Sequence, residues 1–179
     1  WAMKHTTPSK YVLATLLCSF CMVMIGINFL YVKNYYKNIN PMNYISGKES
    51  RDDFIIRHHG SYAAMKYINE HTLENAKIRL VFLAGRGYYL DRMYDEGASY
   101  GIADIRGLVN NAHDENSFQK YLHSLGCTHL LVRTDLYLKY LQDNNTPETV
   151  HRVLQLMKQS TDVIYNTNGY AVYRLITPR

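Results

Sequence analysis

The polarity pattern is dominated by an uncharged run of 22 residues from Tyr11 to Val32, YVLATLLCSFCMVMIGINFLYV. As a helix it spans about 33 Å, enough to cross a hydrocarbon core of about 30 Å. Lys10 and Lys33 bracket it. Tyr11 and Tyr31 lie at its ends, with Tyr35 and Tyr36 just beyond, where amphipathic rings favour the membrane interface. The run therefore predicts a transmembrane helix over 11–32. Thr15, Ser19, Gly26 and Asn28 are its weakly polar members, and Asn28 suits a partner helix better than lipid. A signal peptide has a shorter apolar region and a small-residue cleavage site, and neither is seen here.

Beyond the run the pattern changes. Residues 33–49 are polar and aromatic, contain Pro41 and Gly47, and read as a juxtamembrane linker after a flank (1–10) and the helix. Ser50-Arg51-Asp52-Asp53 has the form of a capping box, with Ser50 as N-cap and Asp53 at the third helical position. A helix through Phe54, Ile55 and Tyr62 to Ile68 should follow, interrupted near Gly60 and ended by Asn69–Thr72. Ile78–Ala84 is a short apolar run closed by Gly85, and Thr128–Arg133 is a second. Both read as buried strands. Between them Phe118, Tyr121, Leu122 and Leu125 repeat at i, i+3, i+4, i+7, one face of a helix that Gly126 terminates. Strand–helix–strand order predicts a right-handed parallel crossover.

A short helix is expected over Asp135–Asp143. Another starts at Thr146-Pro147-Glu148, with Thr146 as cap, Pro147 at the first helical position, and Val150, Val153, Leu154 and Met157 on its apolar face. Asp162–Tyr165, a turn at Asn168-Gly169, and Tyr170–Ile176 read as a hairpin. The expected fold class is α/β: one N-terminal transmembrane helix, then a small domain over 50–179 with a parallel strand pair, flanking helices and a C-terminal β-hairpin.

Composition narrows the function classes. In 179 residues, 47 % are hydrophobic and 20 % charged, which excludes a disordered chain. Three cysteines, two of them in the apolar run, exclude a disulfide scaffold. The net charge of +5 is carried mainly by residues 1–49, where Lys4, Lys10, Lys33, Lys37 and Lys48 face only Glu49. A nucleic-acid binder carries its basic stripe on the folded domain, and residues 50–179 have no such run, so no nucleic-acid partner is expected. Lysines on both sides of the apolar run leave its orientation open. Trp1 at the start suggests a truncated chain, in which this helix could be the last of many.

Few residues promise chemistry. Gly85-Arg86-Gly87 follows a strand as a dinucleotide fingerprint would, but Leu90 stands where the third glycine belongs. The same segment places Arg86, Tyr88, Tyr89, Asp91 and Arg92 at the carboxyl end of a strand, the edge that ligands favour in open α/β sheets. Aromatic rings stack on sugar faces, and arginine grips phosphate through paired hydrogen bonds. The bland alternative is a structural loop held by salt bridges. His58-His59 diverge by about 100° on a helix and lack ligand-spaced partners, so no metal site is expected from this chain alone. Cys18 and Cys21 read as small packing residues, and Cys127 as a buried thiol. Asn144-Asn145-Thr146 matches a glycosylation sequon.

The segments ISGKESRDDFIIRHHGSYAAMKYINE, AKIRLVFLAGRGYYLDR, LHSLGCTHLLV and VIYNTNGYAVYRL together resemble the C-terminal end of bacterial integral-membrane glycosyltransferases of the dolichyl-phosphate-mannose–protein mannosyltransferase-like group. The resemblance covers residues 41–176. It implies a many-helix membrane part followed by an extracytoplasmic α/β domain, a polyprenyl-phosphate-linked sugar donor and an acceptor across the membrane. It also implies inverting transfer, with an acidic residue in an early extracytoplasmic loop acting as base or as ligand to a divalent metal. That loop lies outside this sequence, so no catalytic residue or cofactor is assigned to this chain.

The leading expectation is a non-catalytic C-terminal part of such an enzyme, in a bacterial inner membrane with residues 33–179 periplasmic or extracellular. Its partners would be the bilayer, other helices of the parent protein, the lipid-linked sugar and the acceptor. Arg51, Arg86, Tyr88, Tyr89, Asp91 and Arg92 are its candidate binding residues. The alternative is a single-pass anchored binding domain without catalysis. A soluble α/β enzyme with a cleaved leader ranks third.

Overall fold

The computed structural model describes residues 10–176, so Trp1, Lys4 and the rest of the expected flank lie outside the described residues, as does the side chain of Lys10. The chain divides into two compact units, residues 1–54 and 55–179.

In the first unit, α1 (Lys10–Ile39) holds the apolar run. Its stretch Tyr11–Ile39 is long and apolar enough to cross a membrane, and none of its most apolar window is buried within the protein. Helix α1 continues seven residues past the expected end at Val32, through part of the expected linker. Nothing before Pro41 stops it, since residues 33–39 contain neither proline nor glycine. Asn40, with φ of 46°, breaks the helix, and the single turn α2 (Met42–Ile45) follows. Two polar side chains inside α1 bond to their own helix: Thr15 donates to the Tyr11 carbonyl at 2.8 Å and Asn28 to the Met24 carbonyl at 3.2 Å. Helix α3 (Arg51–His58) starts where the capping pattern places it. The Asp53 amide donates to Ser50 Oγ at 3.1 Å, and that hydroxyl donates to the Asp53 carboxylate at 2.6 Å.

The second unit is a five-stranded mixed sheet in the order β2-β1-β3-β5-β4. Strands β1 (Lys77–Val81), β2 (Met93–Asp95) and β3 (His129–Arg133) are parallel. β4 (Thr161–Thr167) and β5 (Tyr170–Leu175) form the expected hairpin, and β5 joins the sheet antiparallel to β3. Asn168 (φ 54°) and Gly169 (φ 78°) both adopt the left-handed backbone that a two-residue hairpin turn requires.

Alternation along the central strands divides two cores. On one face Ile78, Leu80 and Leu131 pack with Met65 and Ile68 of α4 (Tyr62–His71). On the other, Val81, Leu130 and Val132 meet four helices: α5 (Ile102–Asn110), α6 (Glu115–Ser124), α7 (Thr134–Asn144) and α8 (Pro147–Ser160). Arg79 shares the second face with Val81, because side chains two apart on a strand point the same way. It meets Asp104 of α5, with Nε–Oδ2 at 2.7 Å and Nη2–Oδ1 at 2.8 Å, and also pairs with Asp95 on β2. This pairing raises the Arg79 pKa further, chiefly through the bonds to Asp104.

Three further expectations are corrected. The first strand ends at Val81 rather than Ala84, because Phe82 (φ 63°) and Ala84 (φ 49°) turn the chain out of the sheet. Leu154 lies on the solvent side of α8, while Leu156 joins Val150, Val153 and Met157 in the core. Strand β2 and helix α5 stand where no element was expected. The thiol of Cys127 is half-buried, and burial pushes its pKa up to about 11.

Candidate functional site

The loop Phe82–Arg92 leaves the carboxyl end of β1, the edge of a parallel sheet where ligands collect. Two leucines fasten it from below, since Leu83 and Leu90 are buried in the α4-side core. A turn and a close approach shape its middle. Gly85 takes φ of 76°, and Gly87 lies so close under the Tyr94 ring that a Cβ there would overlap it. These glycines therefore serve a turn and a packing contact. No helix follows them before β2, so the strand–turn–helix context of a dinucleotide site does not form.

Asn69 on α4 clamps the far end of the loop. Its Nδ2 donates to the Tyr89 carbonyl at 2.8 Å, and its Oδ1 accepts from the Asp91 amide at 2.9 Å. Arg92 is turned toward the same helix end, where Nη2 donates to the carbonyls of Asn69 (2.7 Å) and Thr72 (3.0 Å). Those carbonyls are free of helical partners at a C-terminus, so a cation there complements both hydrogen bonding and the helix dipole. Arg92 thus spends its guanidinium on holding the loop.

The clamped loop presents an aromatic group. Tyr88 is 55 % exposed, and its hydroxyl lies 3.2 Å from Nδ1 and 3.1 Å from Nε2 of His59, at the turn between α3 and α4. The two rings meet edge to face with centroids 5.8 Å apart. Tyr89 is half-buried and stands edge-on to Tyr62 at 4.8 Å and beside Tyr88 at 4.5 Å. Gly60 sits against the Tyr170 ring at the start of β5, which brings the turn before α4 to this end of the sheet. Arg86 and Asp91 are exposed on the same loop.

Contacts thus join Tyr88 to Tyr89, Arg86 and Asp91 are exposed on the same loop, and Arg92 is turned to the end of α4. Arg51 belongs to the first unit, in the first turn of α3, 3.9 Å from Asp52 and mostly exposed. His59 was missed as part of the group. Its partner lies 29 residues away, and no local pattern announces such a pairing. Chemically the loop offers an aromatic face, a guanidinium and a carboxylate on a fixed backbone, groups able to contact a polar ring. Among the described residues no three His, Cys, Asp or Glu side chains are grouped as metal ligands.

Comparison of the chain with protein-family models, with curated proteins and with solved structures finds no match.

Proposed function

We propose that this chain is a membrane-anchored, non-catalytic part of a glycosyltransferase that uses a polyprenyl-phosphate-linked sugar. On this reading the loop after β1 frames the entrance for donor or acceptor, in a bacterial inner membrane with residues 33–179 on the outer side. The observation that carries it is the clamped loop with Tyr88 exposed beside His59, and with Arg86 and Asp91 exposed on the same segment. A tyrosine ring covers the apolar face of a sugar, and arginine and carboxylate serve its phosphate and hydroxyls. The helix over Tyr11–Ile39 supplies the length and apolarity that a lipid-linked ligand requires of its host.

A second reading is an anchored binding domain that acts outside any enzyme. The same loop supports it, because the Tyr88 hydroxyl is engaged by His59 and the Arg92 guanidinium by backbone carbonyls.

The test is made in the parent enzyme. Replacing Arg86 and Tyr88 by alanine should cut sugar transfer from the lipid carrier at least tenfold with normal protein levels in the membrane. Unchanged transfer at normal levels would overturn the reading and leave a structural domain.

A further inference from the structure

A second polar cleft lies between α5 and α7, lined by Arg106, Val109, Asn110, Tyr140, Asn144 and Asn145, with a volume of about 210 Å³. Helical spacing builds it: Arg106, Val109 and Asn110 share one face of α5, and Tyr140 and Asn144 share one face of α7. Arg106 Nε donates to the Tyr140 hydroxyl at 3.1 Å. That bond uses Nε and leaves both terminal nitrogens available. Arg106 has no carboxylate partner among the described residues. The nearest acids along α7 are engaged elsewhere, Asp143 with Lys139 at 3.2 Å and Asp135 with Arg133 at 2.9 Å.

The asparagines have opposite chemistry. Asn144 Nδ2 donates to the Tyr140 carbonyl at 2.8 Å, and Asn145 Nδ2 to the Leu141 carbonyl at 3.0 Å. Each amide thus has a donor engaged on its own helix and keeps its carbonyl oxygen as an acceptor. Tyr140 is backed by Phe82 at a ring separation of 5.9 Å. The cleft therefore combines one cation without a carboxylate partner among the described residues with several acceptors and an aromatic wall, and Val109 is its one aliphatic member. Amide oxygens accept from sugar hydroxyls, and a guanidinium fork matches a carboxylate or phosphate. The volume is below the roughly 300–1,000 Å³ typical of drug-sized ligand pockets, so it suits a single ring.

We propose that this cleft binds one anionic monosaccharide unit, its acid group on Arg106 and its hydroxyls on the asparagine carbonyls. The site shares Phe82 with the start of the β1 loop but none of the exposed residues Arg86, Tyr88 and Asp91, and it does not rest on the glycosyltransferase reading.

The test is a titration of the full chain, ¹⁵N-labelled in detergent micelles, with glucuronate, glucose 6-phosphate, glucose and inorganic phosphate. Both acidic sugars should move the side-chain amide signals of Asn110, Asn144 and Asn145. Arg106→Gln, an exposed substitution checked by an otherwise unchanged spectrum, should weaken them at least tenfold. Equal binding of neutral glucose would overturn the role of the cation. Inorganic phosphate binding as tightly as the sugars would reduce the site to an anion contact and overturn the saccharide assignment. No shift with either acidic sugar, or the same affinity in Arg106→Gln, would overturn the proposal outright. Shifts confined to the backbone of Tyr88 and Tyr89 would overturn it too, while supporting the loop as the sugar site.

Discussion

Gly97 stands where Arg79 and Asp104 meet: a Cβ on it would lie 2.7 Å from both Arg79 Nη2 and Asp104 Oδ2. Its φ of 65° is also left-handed. Gly97→Ala therefore forces the ion pair apart as well as straining the backbone. The pair is mostly removed from solvent, with side-chain exposures of 13 % and 7 %. Asp104→Ala leaves the mostly buried Arg79 with only the exposed Asp95 as partner, so it should cost about 1–3 kcal/mol, whereas replacing both Arg79 and Asp104 by apolar residues of similar volume should be close to neutral or stabilising. Denaturant unfolding of Asp104→Ala and of Arg79→Met/Asp104→Leu checks this. A double variant as unstable as the single one would contradict it.

Gly107 reverses an ordinary rule. In a helix interior Gly→Ala usually stabilises by roughly 0.5–1 kcal/mol. Here the Tyr121 ring of α6 occupies the space a Cβ would take. Gly107→Ala should destabilise by about 1–3 kcal/mol through overpacking. In a Tyr121→Ala background the sign should return to stabilising, which a double-mutant cycle measures.

The acid response should have a component near neutrality. His129 is buried at the start of β3, and burial, aided by the Arg174 charge opposite, holds its pKa below the usual histidine value of 6.5. The unfolded chain then takes up the proton first. Stability is full above about pH 6.5 and falls as the pH drops toward the depressed folded value. The Asp114 and Asp135 carboxylates are also held below their usual value, by Ser117 and Arg133 respectively, but their loss begins only near pH 4. Unfolding measured at pH 5.5 and 7.5 should show a difference that His129→Gln reduces.

The start of α8 rests on a cap that the sequence announces. Thr149 N donates to Thr146 Oγ1 at 3.4 Å, with Pro147 in the first turn. Thr146→Ala should cost about 1 kcal/mol, and Thr146→Ser much less. Thermal melting of the two variants distinguishes lost capping from lost packing.

These cases show what was legible. Ser50, Thr146 and the Asn168-Gly169 turn act within a few residues of themselves, so their signals are local and their elements formed where expected. Arg79 sits inside an apolar run, and its partner lies 25 residues on, so periodicity alone reads that run only as a strand. Strand β2 has three exposed residues and carries no apolar signal. Helix α5 did carry one, in Ile105 and Leu108, which reach the core together with Ala112 just past its end. The loop residues read as one segment because they are contiguous. The roles of His59 and Asn69 in shaping the loop come from pairings across 20 residues or more.

The most direct test of the proposed role is photocrosslinking of the chain in lipid nanodiscs with a polyprenyl-phosphate-linked sugar. A photoreactive phenylalanine analogue is placed at position 88 or, as control, at exposed Lys139. Strong labelling at position 88, competed by excess lipid-linked sugar and lost on Arg86→Ala, is the predicted result. Equal labelling at both positions, or none at position 88, would contradict it.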